Sequence, residues 1–372
     1  MTKLLRSLAA FSLLLSGLAV SGASAREAGP GPHFASENVE WLSNIPLETD
    51  TAGAKIIGKY MYITTGRGLT IYDLSDPVAP KRMGTAVLPQ TPQFSEEDVD
   101  SNGRILLVSE TVLGLHIFDV EDKSNPVEIG LLRGAEQHTW SCVLNCRWAY
   151  GSGGKIADLR DPTKPKLVKG GWGDGKPAKG GHDVTEIAPG LIVTSSTPVM
   201  YLDARKDPTK PQILAVGAPK DDRLMHNNYW PRGGKDKFLL MASEGTGNCG
   251  GKPAGFMTWD ATKVKSKKTF KMIDEFFLDN GLPTEGKSPY NTFCAHWFEH
   301  NKKFKNGGLV AMAWYEHGTR FLRVSSKGKI SEVDYFVPVA GATSGIYWVT
   351  DRILYAVDYQ RGIDILKYNG KL

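Results

Sequence analysis

The chain has 372 residues, 41 of them glycine and 21 proline, with four cysteines and a formal net charge of +5. So weak a positive balance, with one basic run at 263–271 (KVKSKKTFK) that reads as a solvated edge strand or loop, excludes a dedicated nucleic-acid or membrane-surface binder. Glycine and proline punctuate the whole length, and no long stretch carries apolar residues at helical spacing, so helix is expected to be scarce.

In chain order, Lys3 and Arg6 precede an apolar run from Leu8 to Val20, and Ala23-Ser24-Ala25 supplies a small-x-small cleavage pattern. Residues 1–25 therefore read as a secretory signal peptide. The run is too short to cross about 30 Å of hydrocarbon. Residues 26–372 are expected to form one exported domain, periplasmic or extracellular, with no membrane insertion and no nucleic-acid partner.

After Val39–Pro46, which looks like a strand without a hairpin partner of its own, short runs rich in β-branched and aromatic residues recur between turn residues (KYMYITT, RILLVSE, LIVTSS, RILYAV). They align as one unit of roughly 45 residues, the length of a four-stranded propeller blade. The third strand of each unit is the clearest: GLTIYDLSDPVAPKRMG from Gly68, GLHIFDVEDKSNPVEIG from Gly114, GKIADLRDPTKPKLVKG from Gly154, and VMYLDARKDPTKPQILAVG from Val199. Weaker copies begin at Gly255, Gly318 and Gly362. The last unit stops before its fourth strand, and the strand at Val39 supplies one. The fold expected is all-β, a seven-bladed β-propeller of four-stranded blades, closed by its N-terminal strand so that no sheet edge stays open. The aspartates that end the third strands (Asp73, Asp119, Asp158, Asp203, Asp260) are read as turn acceptors, because Asp before a Ser/Arg-Asp-Pro turn binds the backbone two residues on.

These repeats resemble the LVIVD-repeat family of secreted bacterial β-propellers over nearly all of residues 26–372, most closely at GLHIFDVEDKSNPVEIG and VMYLDARKDPTKPQILAVG. The resemblance implies a propeller and supplies no reaction. A more distant likeness of architecture links the chain to selenium-binding (methanethiol oxidase) propellers and to carotenoid cleavage oxygenases, which hold an iron with four histidines on the propeller axis.

Within the repeat frame, blades two to six begin their inner strands with Glu97, His138, His182, His226 and His296. Equivalent inner-strand positions lie at one height around the central channel, so the four imidazoles are expected to form a metal site. The bland alternative is a ring of polar side chains around channel water. Nitrogen ligation without thiolate suits iron or copper, with zinc as the third candidate, and disfavours magnesium and calcium. Glu97 is the candidate catalytic group, as a fifth ligand, an acceptor for an imidazole N–H, or a base for bound water. Ser344 or Gly345, and a residue near Ala54, complete the ring and leave one side open. Trp140, Tyr229, Trp230, Trp297 and Tyr347 stand beside these positions as candidate walls of a substrate pocket. His33, His116, His300 and His317 are read as surface or packing residues.

The four cysteines are expected to pair in an oxidising compartment, Cys142 with Cys146 across a tight hairpin and Cys249 with Cys294 between blades five and six. A thiolate copper site involving Cys142 or Cys294 is the alternative. The leading function is a metal-dependent oxidoreductase acting on a small organic substrate. A metal-dependent hydrolase or lyase comes second, and a non-catalytic envelope scaffold whose propeller face takes a protein partner comes third.

Overall fold

The computed structural model describes residues 32–46, 53–65, 68–88, 99–110, 112–172, 179–219, 221, 223–244, 254–278 and 294–372. The signal peptide reading of 1–25 and the candidate Glu97 lie outside them. The described strands form six sheets, one of which has eight strands. That sheet divides into two four-stranded halves joined by one parallel pair, Gly181 with Met225. The result is seven antiparallel four-stranded groups in chain order, and among the described residues helix is confined to two four-residue segments, Pro231–Gly234 and Val264–Lys267. None of the described helices is long and apolar enough to cross a membrane.

The first strands are Ala54–Ile57, Val99–Ser101, Trp140–Val143, Lys179–Ala188, Leu224–Tyr229, Phe298–His300 and Thr343–Trp348. Each neighbours the first strand of the next blade, and the seventh neighbours the first, so the ring closes around a central channel. Burial follows from this arrangement. A blade is covered on both faces by its neighbours, so its middle strands are continuous apolar runs: Ile105–Glu110 and Gly114–Asp119 are almost wholly buried, whereas the fourth strand, Val127–Arg133, is largely open to solvent. Seven apolar clusters fill the seven junctions. One joins Leu107 and Ile117 of blade two to Trp140 and Ala157 of blade three, and another closes the ring with Ile63 of blade one against Tyr355 and Ile365 of blade seven.

The fourth strands of blades one, two, four, five, six and seven each carry a register shift against the third strand. Such bulges increase local twist, which a radial array of blades needs. The third-strand aspartates act as turn acceptors: Asp73 takes the Ser75 N–H at 2.8 Å, Asp119 that of Glu121 at 2.9 Å, and Asp260 that of Thr262 at 2.8 Å.

Val39–Ile45 pairs antiparallel with Gly362–Tyr368 and completes the last blade, as its sequence position implied. Two details differ from the sequence reading. His33–Ala35 adds a fifth strand to the outer edge of blade six, too short for any alternation to reveal. The basic run at 263–271 holds a helical turn, Val264–Lys267, before the strand Lys271–Phe276.

Candidate functional site

His138, His182, His226 and His296 come together at one end of the channel. His182 and His226 lie inside register breaks of their inner strands, where pairing skips from Lys179 to Asp183 and from Met225 to Asn228. A break of this kind turns a side chain out of the regular alternation. His138 and His296 lie just ahead of their strands. Ring centroids are 4.4 Å apart for His138 and His182, 3.7 Å for His182 and His226, and 4.0 Å for His226 and His296. The four rings form an arc in blade order, with His182, His226 and His296 buried and His138 half-buried.

The tightest donor group in this arc includes a residue the sequence reading missed. One ligand atom from each of His182, His226 and Glu244 lies within 4.8 Å of the others. Glu244 ends the second strand of blade five, Phe238–Glu244, whose antiparallel pairing sets it opposite Leu224, two residues before His226. Its carboxylate lies 3.8 Å from His226 Nε2 and is oriented by the Tyr315 hydroxyl, which donates to Oε1 at 2.8 Å. Tyr315 itself adopts φ 36°, an unfavourable conformation for an aromatic residue and one found where a site demands a fixed direction. His296 Nδ1 donates to the Ser344 carbonyl at 2.5 Å, which leaves the ring's lone pair on Nε2.

Deeper in the channel a cavity of about 260 Å³ opens between the inner strands, lined among others by Lys55, Asp100, Ser141, Asp183, Tyr229 and Trp297. Carboxylates on the inner strands, Asp100 and Glu186 in the cavity wall and Glu299 outside it, hold adjacent blades together. Asp100 takes the Cys142 N–H at 2.8 Å and pairs with Lys55 Nζ at 2.9 Å. Glu186 takes the Leu144 N–H at 2.8 Å. Glu299 takes the Trp348 N–H at 2.9 Å. Burial pushes the Glu299 carboxyl up to about 7, against the lowering effect of that N–H, and burial likewise raises Asp183 and Glu186.

The five aromatic candidates separate into two groups. Tyr229 and Trp297 line the cavity, and Trp297 stands 6.3 Å from His226, between the histidines and the cavity. Tyr347 is buried beside Trp297, its hydroxyl accepting the Ala54 N–H at 2.8 Å. Trp140 and Trp230 instead fill junctions between blades, their indole N–H groups bound to the Ala135 and Asp236 carbonyls. They are core residues, because the pleat turns them away from the channel.

Cys142 and Cys146 form a disulfide across the hairpin of blade three. Cys294 is also disulfide-bonded, and its expected partner Cys249 lies outside the described residues. Both findings remove the thiolate alternative for Cys142 and Cys294. Among the remaining histidines, His116 is buried against Glu128 at 2.8 Å, and His300 stacks on Phe304.

Residues 50–86 match the family model for the LVIVD repeat. No curated protein matches the chain. Among solved structures it is similar to YCF48 bound to a D1 peptide, with a TM-score of 0.54 and 14% identity over 92% of this chain and 100% of that one. It is also similar to the Cps50 (Swd1) β-propeller domain of Myceliophteria thermophila, with a TM-score of 0.61 and 12% identity over 88% of this chain and 99% of that one. At these identities the likeness establishes the β-propeller fold.

Proposed function

We propose that this chain is an exported metal-dependent oxidoreductase acting on a small organic substrate, with one divalent transition metal at the arc of His138, His182, His226 and His296. The observation that carries the reading is the convergence of His182, His226 and Glu244 ligand atoms within 4.8 Å at the mouth of the channel. Two imidazoles and one carboxylate with further positions open form a donor set suited to iron(II), and the two flanking imidazoles keep copper in contention. Bound there, the metal would supply redox chemistry at an open position. The protein's own residues would hold it, fix the direction of Glu244 through Tyr315, set the lone pair of His296 through Ser344, and close the substrate side with Trp297. Glu97, outside the described residues, stays a candidate fifth ligand, acceptor for an imidazole N–H or base for bound water.

Metal analysis of untagged protein tests this, both as purified and after anaerobic reconstitution with iron(II), copper(II) or zinc(II). The expected result is stoichiometric iron or copper, with Glu244→Gln binding it at least about tenfold more weakly and a His182→Ala, His226→Ala double variant losing it. Stoichiometric zinc alone would replace redox with hydrolytic chemistry. The absence of stoichiometric metal under all conditions would overturn the reading. The second reading, a non-catalytic propeller that binds a protein segment, draws on the YCF48 structure, whose propeller is bound to a peptide. It predicts that partner capture survives replacement of the histidines.

A further inference from the structure

We infer that the axial cavity is a binding site for a small organic ammonium ligand, its charged head held by Asp183 and Glu186 and its body against Trp297 and Tyr229. The polar wall of the cavity is acidic. Asp100, Asp183 and Glu186 face one lining cation, Lys55, and Lys55 is engaged by Asp100 at 2.9 Å. Three carboxylates against one ammonium leave net negative charge for a ligand, even though the Lys55 charge also favours the ionised forms of Asp183 and Glu186.

Each of these is anchored through one oxygen. Asp183, 6% exposed, accepts the Val184 N–H at 2.7 Å and the Ser141 hydroxyl at 3.3 Å, both through Oδ1. Glu186 accepts the Leu144 N–H at 2.8 Å and the Gly190 N–H at 2.7 Å, both through Oε1. The second oxygen of each carboxylate accepts no hydrogen bond among the described residues. A buried carboxylate fixed on one side and open to a cavity on the other is a preorganised acceptor for a cation, since desolvated charge is unfavourable until it is paired.

An inorganic ion fits less well. Calcium or magnesium gathers oxygen ligands at about 2.0–2.6 Å, so its donors must converge. Among the described residues only His182, His226 and Glu244 do so, and the cavity carboxylates are spread more widely. A larger cation spans them. The adjoining wall, on blades five and six, presents the rings of Tyr229 and Trp297, set edge to face with centroids 6.5 Å apart, which suit an ammonium group or the apolar body attached to it. The same carboxylates repel an anionic ligand.

The inference rests on the proposed function only in making this ligand a substrate, because binding itself needs no metal. The experiment is therefore calorimetric titration of chelator-treated full chain at pH 7.5 with 2-phenylethylammonium and n-butylammonium chloride, beside 2-phenylethanol, 3-phenylpropionate, glucose and calcium chloride. At least one amine is expected to saturate the chain in the sub-millimolar range, at least tenfold tighter than the alcohol and the anion. Asp183→Asn and Glu186→Gln are each expected to weaken it about tenfold, with far-UV circular dichroism unchanged. Amines that bind no better than the alcohol, saturation by glucose or calcium instead, or undiminished amine binding in the folded variants would overturn the inference. Should Glu186→Gln fail to fold, the ligand series on the unmodified chain and Asp183→Asn decide it. Failure of amine binding leaves the metal reading standing, and failure of metal binding leaves the amine site standing.

Discussion

Glu299 holds in blade six the place that Asp100 holds in blade two, the second residue of the inner strand. Each carboxylate accepts the N–H of the next blade's inner strand, from Trp348 at 2.9 Å and from Cys142 at 2.8 Å. Asp100 is also paired with Lys55, whereas Glu299 has the Tyr229 hydroxyl at 3.4 Å as its other partner. Burial therefore dominates at Glu299 and raises its carboxyl from 4.5 to about 7. The folded state then binds a proton that the unfolded state has already released, so this group's contribution is fully present below pH 4.5 and is lost as pH rises through about 7. In Glu299→Gln the carboxamide oxygen still accepts from Trp348 and nothing ionises. The variant should therefore gain on the parent between pH 5 and pH 8 by roughly 1–3 kcal/mol. Urea unfolding at the two pH values reads this directly, and a stability difference that stays constant with pH would reject it.

At the scale of the element, the turn between third and fourth strands explains why the repeat is so visible. Asp73 and Asp76, Asp119 and Asp122, Asp158 and Asp161, and Asp203 and Asp207 each bind the backbone two residues on, as in Asp122 to the Ser124 N–H at 2.9 Å and Asp161 to the Thr163 N–H at 3.2 Å. This chemistry is local, so it was legible residue by residue. What the turn rests against was not. A Cβ on Gly130, in the fourth strand of blade two, would stand 2.2 Å from the carbonyl oxygen of Pro162 in the turn of blade three, and one on Gly84 would stand 2.6 Å from that of Lys123. These glycines let one blade's outer strand approach the next blade's turn. Gly130→Ala should destabilise the protein by roughly 3 kcal/mol or more, since backbone must move. Gly134→Ala, at φ 73° with open space around the added methyl, should lose only about 1 kcal/mol of conformational strain. Equal losses in thermal melts of the two variants would show that the close approach is not what Gly130 provides.

For the molecule as a whole, the closed ring was legible because its evidence is periodic: seven third-strand copies and one strand left over. The level of the four histidines followed from the same frame. Glu244 was not legible, because it reaches His226 across a hairpin from the end of another strand. Trp140 and Trp230 were assigned to the channel because sequence proximity does not say which way a pleat points. The closing strand ties these levels together. Val39 pairs with Tyr368, the Asn369 N–H donates to the Asn38 carbonyl at 2.8 Å, and the Trp41 indole donates to Asp364 at 3.0 Å, so the outer edge of blade seven is covered by residues from the other end of the sequence. Removing residues 32–46 should expose Gly362–Tyr368 as an unpaired edge next to the cluster that holds Trp348 and Leu366, and such an edge recruits other chains. Restoring the strand in a different covalent order should reverse the effect, because pairing rather than chain order closes the ring. A permuted chain that begins at residue 53 and continues from Leu372 through a short glycine-serine linker into residues 38–46 would place that strand as an ordinary antiparallel hairpin. It is expected to elute as the parent chain does by size-exclusion chromatography and to melt within a few degrees of it, whereas the deletion alone aggregates. If the permuted chain aggregates as well, strand pairing alone does not close the ring, and the order of synthesis or the fifth strand at His33–Ala35 contributes to its closure.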